Sequence, residues 1–101
     1  MMKKATKKKS SNLGKKRVSF QVEADPASDV FISGSFNNWN PCERNKRLKE
    51  GPDGVFSIRL LLPKGRHEYK FVINGEWYVD STCPDWAPNE IGSLNSVLDV
   101  E

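Results

Sequence analysis

Lys70 and Trp77 flank an Asn74-Gly75 pair. A cation beside a large flat ring can hold a ligand, donating hydrogen bonds at its edge and stacking on its face, if both side chains leave one surface. The stretch between His67 and Val79, HEYKFVINGEWYV, supplies such a surface. It reads as a β-hairpin: two alternating runs joined by Asn-Gly, the pair that best tolerates the positive φ angles of a two-residue type I′ turn. The turn sets the register, placing Ile73 opposite Glu76, Val72 opposite Trp77, Phe71 opposite Tyr78 and Lys70 opposite Val79. One face then carries Tyr69, Phe71 and Tyr78 and reads as core. The other carries Lys70, Val72, Trp77 and Val79, with Lys70 and Trp77 as diagonal neighbours roughly 7–8 Å apart.

Two further side chains extend this chemistry. Trp39 stands between Asn38 and Asn40 and ahead of Pro41. That polar setting suits either an exposed platform or a ring capping one end of the fold. Asn95 follows a glycine-containing turn and offers both a donor and an acceptor. Together Trp39, Lys70, Trp77 and Asn95 suit a sugar, whose C–H face lies on an aromatic ring while its hydroxyls take hydrogen bonds at the rim. Two rings set at an angle match a curved glucan better than a flat one.

Catalytic equipment is not apparent. His67 is in phase with Tyr69 and Phe71 and reads as a packed strand residue. The sequence has no nucleophile elbow, phosphate loop, cofactor motif or metal-ligand cluster. Asp80, Asp85 and Glu90 share a loop near Trp77, where a pair of acids could mimic a glycosidase, but they read as solvated loop acids. The expectation is a binding module without enzymatic activity, metal or cofactor.

The elements that must position these residues are strands. Val18, Phe20 and Val22 alternate with polar residues, Ala24–Asp29 is a turn, and Val30–Ser33 is a second strand leading into the Trp39 loop. Cys42–Glu50 is charged and aperiodic, with Leu48 as its inward anchor. After the Gly51–Gly54 turn, Val55–Leu62 is a strand with Phe56, Ile58 and Leu60 on one face. Pro63–Gly65 turns into the hairpin, Asp80–Asn89 is a loop, and Ser96–Val100 is the last strand, with Leu98 and Val100 inward. About seven short strands without a helix predict an all-β antiparallel sandwich.

With 101 residues the chain has room for one domain. At 37% hydrophobic and 29% charged, it has no run near the length of a membrane span, so no membrane partner is expected. The overall charge of +3 divides sharply. Residues 1–17 hold eight basic residues and no acid; residues 18–101 hold eight basic and thirteen acidic residues, a net charge of −5. Residues 1–17 are expected to be a disordered basic tail, either an electrostatic arm or a solvated leader. Nucleic acid is disfavoured as its partner because no aromatic interrupts the lysines to stack on bases. No apolar segment follows Met1–Lys4, which argues against a secretory signal, and the paired methionines suggest a natural gene start, leaving open a small stand-alone protein or a cloned fragment. Cys42 and Cys83 suit neither a disulfide scaffold nor a metal knuckle and predict two reduced thiols in a cytoplasmic protein.

Three segments, VFISGSFNNWN (Val30–Asn40), GRHEYKFVINGEW (Gly65–Trp77) and IGSLNSVLDV (Ile91–Val100), resemble the glycogen-binding domain of the AMP-activated protein kinase β subunit. They are also similar to the wider family 48 of carbohydrate-binding modules. The resemblance implies an early-set, immunoglobulin-like β-sandwich that binds α-1,4-linked glucans such as glycogen, starch, maltooligosaccharides or cyclodextrin. It implies that Trp39 and Trp77 stack on glucose rings and that Lys70 and Asn95 bind hydroxyls. Ile91 would take the place of a leucine inserted into the curve of the glucan, and Ser93 that of a threonine. The loop from Ser81 to Asn89 departs from the family pattern and adds Trp86, a third platform, a lid or a packed loop anchor. Many modules of this family lack the tryptophans and serve as spacers, whereas this chain keeps both. Two other roles stay open: an adaptor that binds a protein partner and retains a vestigial sugar site, or an accessory domain of a glucan-processing enzyme.

Overall fold

The computed structural model describes residues 14–101. Alternating side chains build eight strands: β1 (Lys15–Glu23), β2 (Val30–Gly34), β3 (Lys49–Glu50), β4 (Val55–Pro63), β5 (Gly65–Ile73), β6 (Glu76–Tyr78), β7 (Trp86–Pro88) and β8 (Leu94–Val100). They form two antiparallel sheets, one ordered β1-β4-β3 and the other β2-β5-β8-β7, with β6 also paired to β5. Single 3-10 turns at Ser35–Asn37, Arg44–Lys46 and Pro52–Gly54 are the helical content of the described residues. The predicted all-β antiparallel sandwich is therefore the observed fold.

The inward faces meet in one apolar layer. Phe20, Phe56, Leu60 and Leu62 come from the smaller sheet, and Val30, Ile32, Tyr69, Phe71 and Val100 from the larger. Leu48 closes the layer from the β2–β3 connection, as its isolated apolar character suggested. The rings of Phe20 and Tyr69 meet edge to face at 5.0 Å across the sheets, a favoured aromatic geometry. His67 is buried, with Nε2 2.8 Å from the Pro63 carbonyl oxygen.

β5 organises the larger sheet. It pairs with β2 along one edge and with β8 and then β6 along the other. Its inward residues fill the core, so Glu68 and Lys70, in the opposite phase, stand on the outer face. The hairpin register is as read from the sequence for Ile73–Glu76, Val72–Trp77 and Phe71–Tyr78. Asn74 (φ 51°) and Gly75 (φ 85°) are both left-handed.

Some expectations need correction. The Lys70–Val79 pairing lies beyond the ladder, because β6 ends at Tyr78. Tyr78 shares the phase of Phe71 yet is 46% exposed: its strand is three residues long, and its hydroxyl turns to Glu76 Oε1 at 3.0 Å. β1 begins at Lys15 rather than Val18, since β4 offers partners as far as Pro63. Residues 1–13, and with them most of the expected tail, lie outside the described residues. The loop after Asp80 contains β7, hidden in the sequence by Pro84 and Pro88. Proline is tolerated here because β7 is an edge strand.

Asp80 is not a solvated loop acid. It is buried, with Oδ2 accepting from the Tyr69 hydroxyl at 2.8 Å and Oδ1 accepting from the Thr82 amide and hydroxyl at 3.0 and 2.7 Å. Its amide donates to Ser96 Oγ at 2.8 Å. Burial, and then the hydrogen bond to Asp80, push the Tyr69 hydroxyl well above its ordinary pKa of 10.0.

Candidate functional site

The backbone of the Trp39 loop holds two of the five non-glycine residues with positive φ among the described residues. Asn38 (φ 56°) and Trp39 (φ 58°) are consecutive left-handed residues, which asparagine tolerates and tryptophan adopts only under constraint. The neighbouring asparagines supply that constraint. Asn37 Oδ1 accepts from the Gly34 amide at 2.9 Å, and its Nδ2 donates to the Asn40 carbonyl at 3.2 Å. Trp39 N donates to Gly34 O at 3.0 Å, and Asn40 Oδ1 accepts from the Cys42 amide at 3.0 Å. Gly34 has to be glycine for a local reason: a Cβ there would overlap the carbonyl oxygen of Glu68 on β5. The backbone contacts aim one ring, and Trp39 is half-buried.

Trp77 reaches the same place from β6. It is 43% exposed, and its ring centroid lies 6.4 Å from that of Trp39 with the planes inclined at 50°. The two indoles border a groove of about 800 Å³, within the range of ligand sites. Lys70, Ile91, Ser93 and Asn95 line it as well, so the structure brings all six sequence-predicted site residues to one cavity.

The polar side of the groove is connected. Lys70 Nζ donates to Ser93 Oγ at 2.6 Å. Asn89 Nδ2 donates to Ser93 Oγ and to Asn95 Oδ1, each at 3.1 Å. Asn95, only 6% exposed, donates from Nδ2 to Glu68 Oε1 at 3.0 Å, while Glu68 Oε2 accepts from Arg66 Nη2 at 3.2 Å. At the rim the turn Asn89–Ser93 holds Ile91 86% exposed, an isolated apolar knob beside the groove.

Sequence reading missed three lining residues, Ser35, Glu68 and Asn89, and took a fourth, Glu90, for a solvated loop acid. Glu68 was within reach, because it precedes Lys70 by one strand period and so shares its face. Asn89 gives no such signal, since its importance lies in bonds across a turn. Trp86 does not belong to the groove. It pairs with Ser96, which pairs with Tyr69, and so lies on the inward face of its sheet at the edge. Its indole N–H donates to the Asp80 carbonyl at 3.4 Å, the behaviour of a loop anchor that remains 48% exposed.

The arrangement can stack a ligand along two inclined rings and bond its polar rim. Both carboxylate oxygens of Glu68 already accept hydrogen bonds.

Comparison with known proteins supplies a context for this geometry. The family described as the glycogen recognition site of AMP-activated protein kinase matches residues 17–101. The chain is similar to Protein FLOURY ENDOSPERM 6, chloroplastic, of Oryza sativa subsp. japonica, at 35% identity over 88 residues, 87% of this chain and 16% of that protein. It is 38% identical over 63 residues to Protein PTST homolog 2, chloroplastic, of Arabidopsis thaliana, covering 62% of this chain and 11% of the relative. It is 36% identical over 78 residues to the 5'-AMP-activated protein kinase subunit beta-2 of Homo sapiens, covering 77% of this chain and 27% of the subunit. The chain thus spans between about a tenth and a quarter of these relatives. The chloroplastic relatives overturn the expectation of a cytoplasmic protein. That expectation rested on two free thiols, which both occur here, but a free thiol marks any reducing compartment and does not choose among them. A match over residues 17–101, carried on a two-sheet sandwich, places this chain in the family of the glycogen recognition site of AMP-activated protein kinase.

Proposed function

We propose that the sandwich is a non-catalytic module that binds α-1,4-linked glucans, stacking glucose rings on Trp39 and Trp77. The observation that carries this reading is the pair of indoles 6.4 Å apart and inclined at 50° beside a polar wall. Successive rings of a helical α-glucan turn their faces, as the two indoles do, whereas a flat chain would engage one and miss the other. Lys70 donates to hydroxyl oxygens, Ser93 and Asn95 complete the polar contacts, and Ile91 enters the hollow of the curved chain. Membership of a glycogen-recognition family supports the ligand class. An open groove with two stacking rings leaves much of a ligand hydrated, so binding is weak. The expected Kd is on the order of micromolar to millimolar, about −8 to −4 kcal/mol.

The test is a titration with β-cyclodextrin or maltoheptaose, followed by tryptophan fluorescence and by amide shifts in NMR. Saturable quenching with shifts clustered at Trp39, Lys70, Trp77 and Asn95 is the expected result. A flat titration on the folded protein overturns the reading and leaves the sandwich as an adaptor for a protein partner.

A further inference from the structure

The orientation of every amide in the polar wall follows from two backbone groups. The N–H groups of Ile91 and Ser93 both point at the Asn89 side chain, at 3.1 and 3.0 Å, so the atom facing them has to be the oxygen, Oδ1. The Asn89 NH₂ then faces the other way, and its two hydrogens meet Ser93 Oγ and Asn95 Oδ1. Asn95 is forced in turn: with its oxygen toward Asn89, its NH₂ points at Glu68, a carboxylate that can only accept.

We infer that Asn89 is a positioning residue that makes this wall donor-presenting, an inference that rests on the glucan-binding reading above. Its four hydrogen-bonding positions are all used within the protein, so none is left to bond the ligand. Ser93 Oγ accepts from both Asn89 and Lys70, which occupies both its lone pairs and leaves its own proton to offer. Lys70 keeps two further N–H donors, and Asn95 one. Hydroxyl and glycosidic oxygens acting as acceptors are the ligand groups such a wall selects. Asn89 also accepts from the middle and the end of the turn that projects Ile91, so one side chain sets the apolar knob and the donors together.

Asn89→Asp separates the two roles. It keeps an acceptor for the Ile91 and Ser93 amides, and so the turn, but it replaces the donor with a second acceptor. Ser93 must then spend its proton on the introduced carboxylate, and Asn95 must flip toward a repulsive contact with Glu68. The expected loss is about tenfold or more in affinity for β-cyclodextrin, with the Gly92 amide shift near that of the wild type. Asn89→Ala removes the turn as well and should lose more. In a double-mutant cycle, Ser93→Ala should weaken the wild type but add little to Asn89→Asp, because the serine proton is already withdrawn. Additive losses, or Asn89→Asp binding within about twofold of the wild type, overturn the inference. A measurement on the unmutated protein covers the case of a variant that does not fold. Nuclear Overhauser contacts from the Asn89 side-chain amide to Ser93 and Asn95 should be present and should survive saturation with β-cyclodextrin, and their absence also overturns it. A wild type that does not bind β-cyclodextrin counts instead against the glucan-binding reading itself.

Discussion

Truncating either indole of the pair to alanine leaves a stacked glucose ring without its platform. Trp77→Ala and Trp39→Ala should each weaken binding of β-cyclodextrin by at least about tenfold, measured calorimetrically. Trp77 is well exposed, so its variant should melt where the wild type does; equal affinity in both variants would remove the proposed site. A different residue governs alkaline behaviour. The buried Tyr69 hydroxyl has its pKa raised above 10.0, so folding favours its neutral form. That stability is complete below pH 10 and is lost as pH rises toward the folded-state value. Spectrophotometric titration should therefore show the exposed Tyr78 ionising reversibly, itself shifted upward by its bond to Glu76, and Tyr69 ionising only as the protein unfolds. Tyr69→Phe removes the alkaline step and costs about 1–3 kcal/mol at neutral pH, because Asp80 loses a donor. At this scale the sequence disclosed whatever strand periodicity carries. Lys70 and Trp77 could be placed on one face because an Asn-Gly turn allows one register. Asn37, Asn89 and Asp80 could not, because a side chain bonding across a loop leaves no periodic trace.

Among the elements, the hairpin β5–β6 owes its geometry to its turn. Asn74 holds the left-handed conformation while its Oδ1 accepts from the Asp29 amide at 2.9 Å, tying the turn to the β1–β2 connection. Gly75 has no heavy atom within 4 Å of a notional Cβ, so Gly75→Ala should express backbone strain alone, about 1 kcal/mol in chemical denaturation. Gly34→Ala differs in kind. Its backbone is extended, and the collision is with the backbone of Glu68, so β2 would have to part from β5. The expected result is a large fall in melting temperature together with loss of binding, since Trp39 hangs from the same strand end. Strand existence was legible wherever alternation ran for several residues. β7 was not, being three residues long and bounded by prolines, and neither was the exposure of Tyr78, which sits at the end of a three-residue strand where phase alone does not bury a side chain.

For the molecule as a whole, the charge asymmetry invites a truncation. Removing residues 1–13 deletes five lysines and leaves β1 intact from Lys15. The shortened protein should fold with an unchanged melting temperature and bind β-cyclodextrin as the full chain does. A loss of affinity would mean that the basic segment takes part in the site. The inclined indoles also have an optical consequence. Two chromophores with strong ultraviolet transitions, 6.4 Å apart and turned by 50°, share their excitation and should give a circular dichroism couplet. A β-sandwich has a weak far-ultraviolet signal of its own, so this couplet should distort any secondary-structure content read from the spectrum. Trp77→Ala would then change the spectrum without moving a strand, and the altered curve would report the separation of two rings rather than an unfolded protein.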